Sequence, residues 1–204
     1  EITAAHRQSI EMRLMAEQLW AQVQGRMPPL EITQSIAQLR LKLGEQYKME
    51  ISGDYFRQGF DDIMSGVDHL ISIGLVDGDK MGVMGWSAGG HYSNWILTHT
   101  NRFKAISTGA GATNWASMYA QNDTQRLREF YFQGKPYDNF DNYWNVSPIK
   151  YIRNAKTPTL IHVVDGDPRV PRPQSEELHM ALKKLGVPTE FFVYPGSTHG
   201  IPDA

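Results

Sequence analysis

The stretch Met81-Gly82-Val83-Met84-Gly85-Trp86-Ser87-Ala88-Gly89-Gly90 decides how this chain folds. Its first six residues form a short apolar run, the pattern of a buried strand. A helical segment follows at once, from Ala88 to about His99. Gly85 to Gly89 matches G-x-S-x-G, which chance alone produces in roughly one chain in fifteen of this length, so the pentapeptide carries little by itself. Its place between a strand and a helix carries much more. So sharp a turn needs small neighbours, and Gly85, Gly89 and Gly90 supply that space. The turn lifts the Ser87 oxygen above the sheet at the N-terminus of the next helix, where the dipole favours developing negative charge. The backbone N–H of Ala88 then points at an oxyanion. Read from this segment alone, an ordinary serine in a glycine-rich turn is the plainer alternative.

Downstream and upstream, helices alternate with short apolar strands, the signature of a parallel α/β sheet. Asp54 can cap a helix with an inner face of Phe56, Phe60, Ile63, Val67, Leu70 and Ile71, closed by Gly74. Strands are expected over Met81–Trp86, Phe103–Thr108, Pro158–Val164 and Thr189–Tyr194. Residues 112–156 are aromatic-rich and irregular, which suits short helices over the sheet edge. A helix using Leu178, Ala181, Leu182 and Leu185 carries Lys183 and Lys184 near its negative end and stops at Gly186. The expected fold is an α/β-hydrolase-type parallel sheet flanked by helices, with its catalytic portion in residues 51–204. Built only from these strands, the sheet leaves Met81–Trp86 at an edge open to self-association.

A serine hydroxyl near neutral pH needs a base within hydrogen-bond reach. In this architecture the partners follow in the order Ser, Asp or Glu, His. Two histidines lie beyond the third strand, His179 and His199. His179 falls inside the amphipathic helix as a surface residue. His199 lies in Pro195-Gly196-Ser197-Thr198-His199-Gly200, just past the last strand, at the carboxyl end of the sheet where such folds place their chemistry. His199 is therefore the expected base. Asp165 and Asp167 both follow the third strand, and spacing does not choose between them. No histidine or third acid clusters with them, so neither a metal nor another cofactor is expected.

Residues 1–50 read differently. Met12, Met15, Ala16, Leu19, Trp20 and Val23 recur at helical spacing, as do Ile32, Ile36, Leu39 and Leu43, with Pro28-Pro29 between the runs. A helical hairpin packing on a neighbour is expected there; a partner-binding arm is the alternative. The chain has 204 residues, a formal charge of −2, 41% apolar residues and no cysteine. That length suits one domain with an appendage. Mixed charge without a basic stripe argues against nucleic acid, and no apolar run is long enough to cross a bilayer. Without cysteine there is neither thiol catalysis nor a disulfide. A soluble protein is expected, in the cytoplasm, the periplasm or outside the cell. The chain opens on Glu1, with neither a Met nor a signal-peptide pattern.

From about Gly53 onward the chain resembles the catalytic domain of the prolyl oligopeptidase family of serine peptidases. The likeness is carried by Asp61 to Asp68, Val76 to Gly90, Asn101-Arg102-Phe103-Lys104-Ala105 and Ser147-Pro148. It continues through Asp167-Pro168-Arg169-Val170-Pro171 with Gln174-Ser175, Leu185 to Pro188, and Tyr194-Pro195-Gly196 with His199-Gly200. The resemblance selects Asp167 as the acid, three positions before the Val of Val-Pro; Val164 stands where a glycine is usual. It also implies an apolar substrate pocket beside the serine, with Trp86, Trp115, Met118 and Tyr119 as candidates. Core or edge packing is the plainer role for those aromatics.

The resemblance implies features that the sequence lacks. The family carries a second oxyanion donor, a tyrosine on earlier strands, and neither Tyr47 nor Tyr55 can be matched to it. A closing helix is expected where the chain reaches Ala204, and no β-propeller is present. The expected activity is cleavage of short peptides through an acyl-enzyme on Ser87. A carboxylesterase with the same three residues, or a non-catalytic interaction module, are the competing readings.

Overall fold

The computed structural model describes residues 51–201. The expected hairpin over residues 1–50 lies outside them, as does Tyr47. In chain order the elements are α1 (Arg57–Ser72), β1 (Gly82–Trp86), α2 (Ala88–His99), β2 (Ala105–Gly109), α3 (Trp115–Gln121), α4 (Gln125–Tyr131) and α5 (Phe140–Trp144). A 3₁₀ turn at Pro148–Asn154 precedes β3 (Thr159–Val164), α6 (Arg172–Leu185) and β4 (Thr189–Tyr194). The four strands are all parallel and lie side by side in chain order, with β1 at one edge among the described residues.

Parallel strands laid down in sequence need crossovers of one hand, and those crossovers put their helices on one face. The core lies there. Val83, Ile106, Ile161 and Phe191 share that face of the sheet, and Ile96, Leu97, Leu178 and Leu182 of α2 and α6 pack with them. Burying each such side chain is worth about 1.5–3 kcal/mol. The opposite face is open among the described residues, with Met84 84% and Phe192 48% exposed.

Helix α1 matches the expected position but not the whole expected face. Phe56 is buried, and Phe60, Met64, Val67 and Ile71 meet the core, whereas Ile63 and Leu70 are exposed. Asp54 acts two residues before the N-cap: its carboxylate accepts the Arg57 backbone N–H at 3.3 Å and pairs with the Arg57 guanidinium. Gly74 adopts φ +72°, the left-handed conformation that ends many helices. Gly186 does the same for α6 at φ +73°, and Val187 beyond it folds back into the core. Leu185, expected on the inner face of α6, is exposed. The irregular stretch 112–156 forms three short α-helices and the 3₁₀ turn. No helix among the described residues is long and apolar enough to cross a membrane.

Candidate active site

Because every strand is parallel, the carboxyl ends of β1, β3 and β4 share one rim, and Ser87, Asp167 and His199 each follow one of those ends. Ser87 bridges β1 and α2 at φ 58° and ψ −117°, a conformation that L-residues avoid and that persists only where surroundings enforce it. Two backbone bonds enforce it here. The Ser87 N–H donates to the Gly109 carbonyl at 2.9 Å, and the Ser87 carbonyl accepts the His91 N–H at 2.8 Å.

The neighbouring glycines differ in what they permit. A Cβ on Gly85 would stand 2.3 Å from the Gly89 carbonyl oxygen, and one on Gly90 would stand 2.1 Å from that of Gly109. Both positions are closed by backbone. A Cβ on Gly89 would meet nothing within 4 Å. The sequence grouped all three as space-makers; the fold requires Gly85 and Gly90 only.

His199 has the longest reach to make. In a sheet ordered β1-β2-β3-β4, the end of β4 is three strand intervals, ~14 Å, from that of β1. The loop after β4 therefore runs back along the rim, and the backbone shows how. The Gly166 N–H donates to the Gly196 carbonyl at 2.9 Å, and a Cβ on Gly166 would press within 3.1 Å of Ser197 Cα. Gly166 thus lets the β4 loop pass over the end of β3. At the far side the Trp86 indole N–H donates to the His199 carbonyl at 3.0 Å. Trp86, expected to line the pocket, holds the histidine loop.

The resulting geometry is a continuous line. His199 Nε2 lies 2.7 Å from Ser87 Oγ, and His199 Nδ1 lies 2.8 Å from Asp167 Oδ2. The Asp167 side chain is fully buried, and its other oxygen accepts the Arg169 and Val170 backbone N–H groups at 2.8 and 3.0 Å. These contacts fix the direction of the carboxylate. Asp165, the alternative acid, is solvent-exposed and paired with Arg172 at 2.7 Å. His179 is not the surface residue expected from its helix: it is half-buried, with its ring against Phe191 and Nδ1 3.5 Å from Thr189 Oγ1.

Of the remaining pocket candidates, Trp115 and Met118 have no exposure and Tyr119 has 8%. Trp115 meets His91, Tyr55 and Phe132 edge-on, at 4.8, 5.2 and 5.1 Å between ring centroids. Tyr55 is buried among these rings. The Tyr119 hydroxyl donates to Glu129 at 2.7 Å, which pushes its pKa up to about 12 and keeps it a neutral phenol. His91, one turn into α2, accepts the Ala112 N–H on Nδ1 at 2.8 Å. Burial, then the nearby Arg128 and His199, hold its pKa well below the usual imidazole value. It is therefore a neutral structural acceptor.

Two contributors were not singled out from the sequence. Buried Gln174 accepts the Thr113 and Asn114 N–H groups at 3.1 and 2.9 Å and donates to Ser117 and Gln121, pinning the loop after β2. It sits in the quoted motif, but its partners are distant in sequence. Arg128 is buried beneath Trp115, and an arginine in an irregular stretch ordinarily signals a surface charge.

A parallel sheet with a strained serine turn, and an imidazole brought to it from a later strand end, is an α/β-hydrolase-type architecture. Comparison narrows the class. The model of the prolyl oligopeptidase family matches residues 41–204. The chain is 34% identical over 160 residues to an uncharacterized peptidase, YuxL, of Bacillus subtilis, covering 78% of this chain and 24% of the relative. It is 32% identical over 164 residues to dipeptidyl-peptidase 5 of Porphyromonas gingivalis, again covering 78% and 24%. The acylaminoacyl peptidase of Pyrococcus horikoshii superposes with a TM-score of 0.72 at 28% identity, over 76% of this chain and 26% of that one. This chain belongs to the prolyl oligopeptidase family. It spans 24% of the length of the two curated relatives named here.

Proposed function

We propose that this chain carries the catalytic site of a serine peptidase that cleaves short peptides through an acyl-enzyme on Ser87. The observation that best supports this is the unbroken hydrogen-bonded line Ser87–His199–Asp167, drawn from three strand ends and lying within general-base distance.

In this mechanism Ser87 Oγ attacks the scissile carbonyl while His199 Nε2 takes the hydroxyl proton. Asp167 keeps the Nδ1–H tautomer in place and stabilises the imidazolium that forms. The Ala88 N–H, at the start of α2 where backbone donors lack helical acceptors, faces the oxyanion. The imidazolium then gives its proton to the leaving amine as the carbon–nitrogen bond breaks. Water, deprotonated by His199, attacks the ester; the carbon–oxygen bond to Ser87 breaks, and the proton returns to Oγ. By the family resemblance, the side chain on the acyl side lies toward the buried Trp115, Met118 and Tyr119.

A serine-directed fluorophosphonate tests the nucleophile: labelling of the wild type is expected, and none in Ser87→Ala. Failure to label the folded wild type would overturn the proposal. Aminoacyl anilides compared with short-chain p-nitrophenyl esters test the reaction class, and hydrolysis of esters alone would replace peptidase with esterase.

A further inference from the structure

Among the described residues, two buried side-chain polar atoms have no hydrogen-bond partner: Arg128 Nε and Trp115 Nε1. Both are donors, and their side chains are in contact, with the Arg128 guanidinium carbon 4.9 Å from the Trp115 ring centroid. Arg128 is 4% exposed, and no carboxylate among the described residues pairs with it. The nearby acids are committed elsewhere. Glu129 accepts from the Tyr119 hydroxyl, and both oxygens of Asp123 bind Arg169. A buried cation without a counter-charge is costly, since ring faces return only part of the lost hydration.

The pair connects to the proposed nucleophile through one residue, His91. Trp115 packs edge-on against His91, whose backbone N–H binds the Ser87 carbonyl. Among the described residues no acceptor meets these two donors, and the acceptor that best satisfies a guanidinium is a carboxylate. We propose that Arg128, with the Trp115 indole N–H, reads a carboxylate on the substrate side chain adjacent to the scissile carbonyl, so that the preferred acyl residue is glutamate or aspartate. This deepens the acyl-enzyme reading above and rests on it.

The test compares acetyl-glutamyl and acetyl-glutaminyl p-nitroanilide, nearly identical in shape and different in charge, on the full chain. The wild type is expected to favour the glutamyl substrate in kcat/KM by about tenfold or more, the scale of one charge-assisted hydrogen bond. Arg128→Met is expected to bring the ratio to about one, and Arg128→Lys to keep part of the preference. A wild-type ratio at or below one, or a ratio unchanged in folded Arg128→Met, overturns the proposal. Should the Met variant fail to fold, the wild-type ratio decides alone. Fluorophosphonate labelling of the wild type separates the two levels. A labelled enzyme with no glutamyl preference refutes the role of Arg128 and leaves the peptidase reading standing; an unlabelled one refutes both.

Discussion

Adjacent glycines in the serine turn should respond to alanine with opposite signs. At Gly90 the new methyl carbon would sit 2.1 Å from the Gly109 carbonyl oxygen and 3.1 Å from Gly111 Cα. Ordinary carbon–oxygen contact needs more than a further ångström, and the obstacle is backbone on a central strand. The first turn of α2 would have to lift away from the end of β2, where the Ser87 N–H to Gly109 bond holds the strained serine. Overpacking of this kind costs about 1–3 kcal/mol or more, with loss of the serine's alignment besides. At Gly89 the methyl would meet nothing within 4 Å, and the backbone there is not left-handed. Replacement reduces the freedom of the unfolded chain and should stabilise by about 0.4–1 kcal/mol. Urea unfolding followed by fluorescence measures both, with an unchanged m-value confirming like-for-like transitions. If Gly90→Ala proved neutral, or if both substitutions moved the midpoint the same way, the account of the turn's packing would be wrong.

Asp167→Asn should reduce kcat by about 10⁴, as expected when a carboxylate that sets the imidazole tautomer is neutralised, whereas Asp165→Asn, on an exposed ion pair, should change it less than about twofold; parallel steady-state assays separate the two acids. Trp86→Phe removes the donor to the His199 carbonyl while keeping an aromatic ring, so kcat/KM should fall while unfolding free energy changes by only about 1 kcal/mol; an unaltered kcat/KM would show that the histidine loop holds itself. His91 is kept neutral in the fold but protonates freely once unfolded, so the unfolded state binds more protons below about pH 6.5. Stability should accordingly fall as pH drops below that value, by up to about 1.4 kcal/mol per pH unit for this group. Urea midpoints between pH 7.5 and 5 should show a shallower slope in His91→Gln than in the wild type.

Much of this architecture was legible from local pattern. The four strands and the main helices declare themselves through short apolar runs, 3.6-residue periodicity and glycine stops at Gly74 and Gly186, all of which act over a few residues. The strand–serine–helix arrangement follows from the same local logic, because the conformation of Ser87 depends on what its immediate neighbours allow. His199 could be expected from its position past the last strand, since parallel order puts all such loops on one rim. Properties that depend on what stands opposite a residue were not legible. Which glycines are obligatory depends on the backbone facing them across the turn, so Gly89 and Gly90 look alike in sequence. The exposure of Ile63, Leu70 and Leu185 depends on which part of an amphipathic face finds a neighbour.

The sequence by itself determined the parallel α/β order and pointed to the proposed serine and its proposed base, since both readings follow from motifs and chain order. Spacing left Asp165 and Asp167 open and the family resemblance chose Asp167; tertiary structure alone decided that Trp86 anchors the histidine loop and that Arg128 lies beneath Trp115 without a carboxylate partner among the described residues. Each of those outcomes is a distance between groups far apart along the chain, and local propensity carries no information about it.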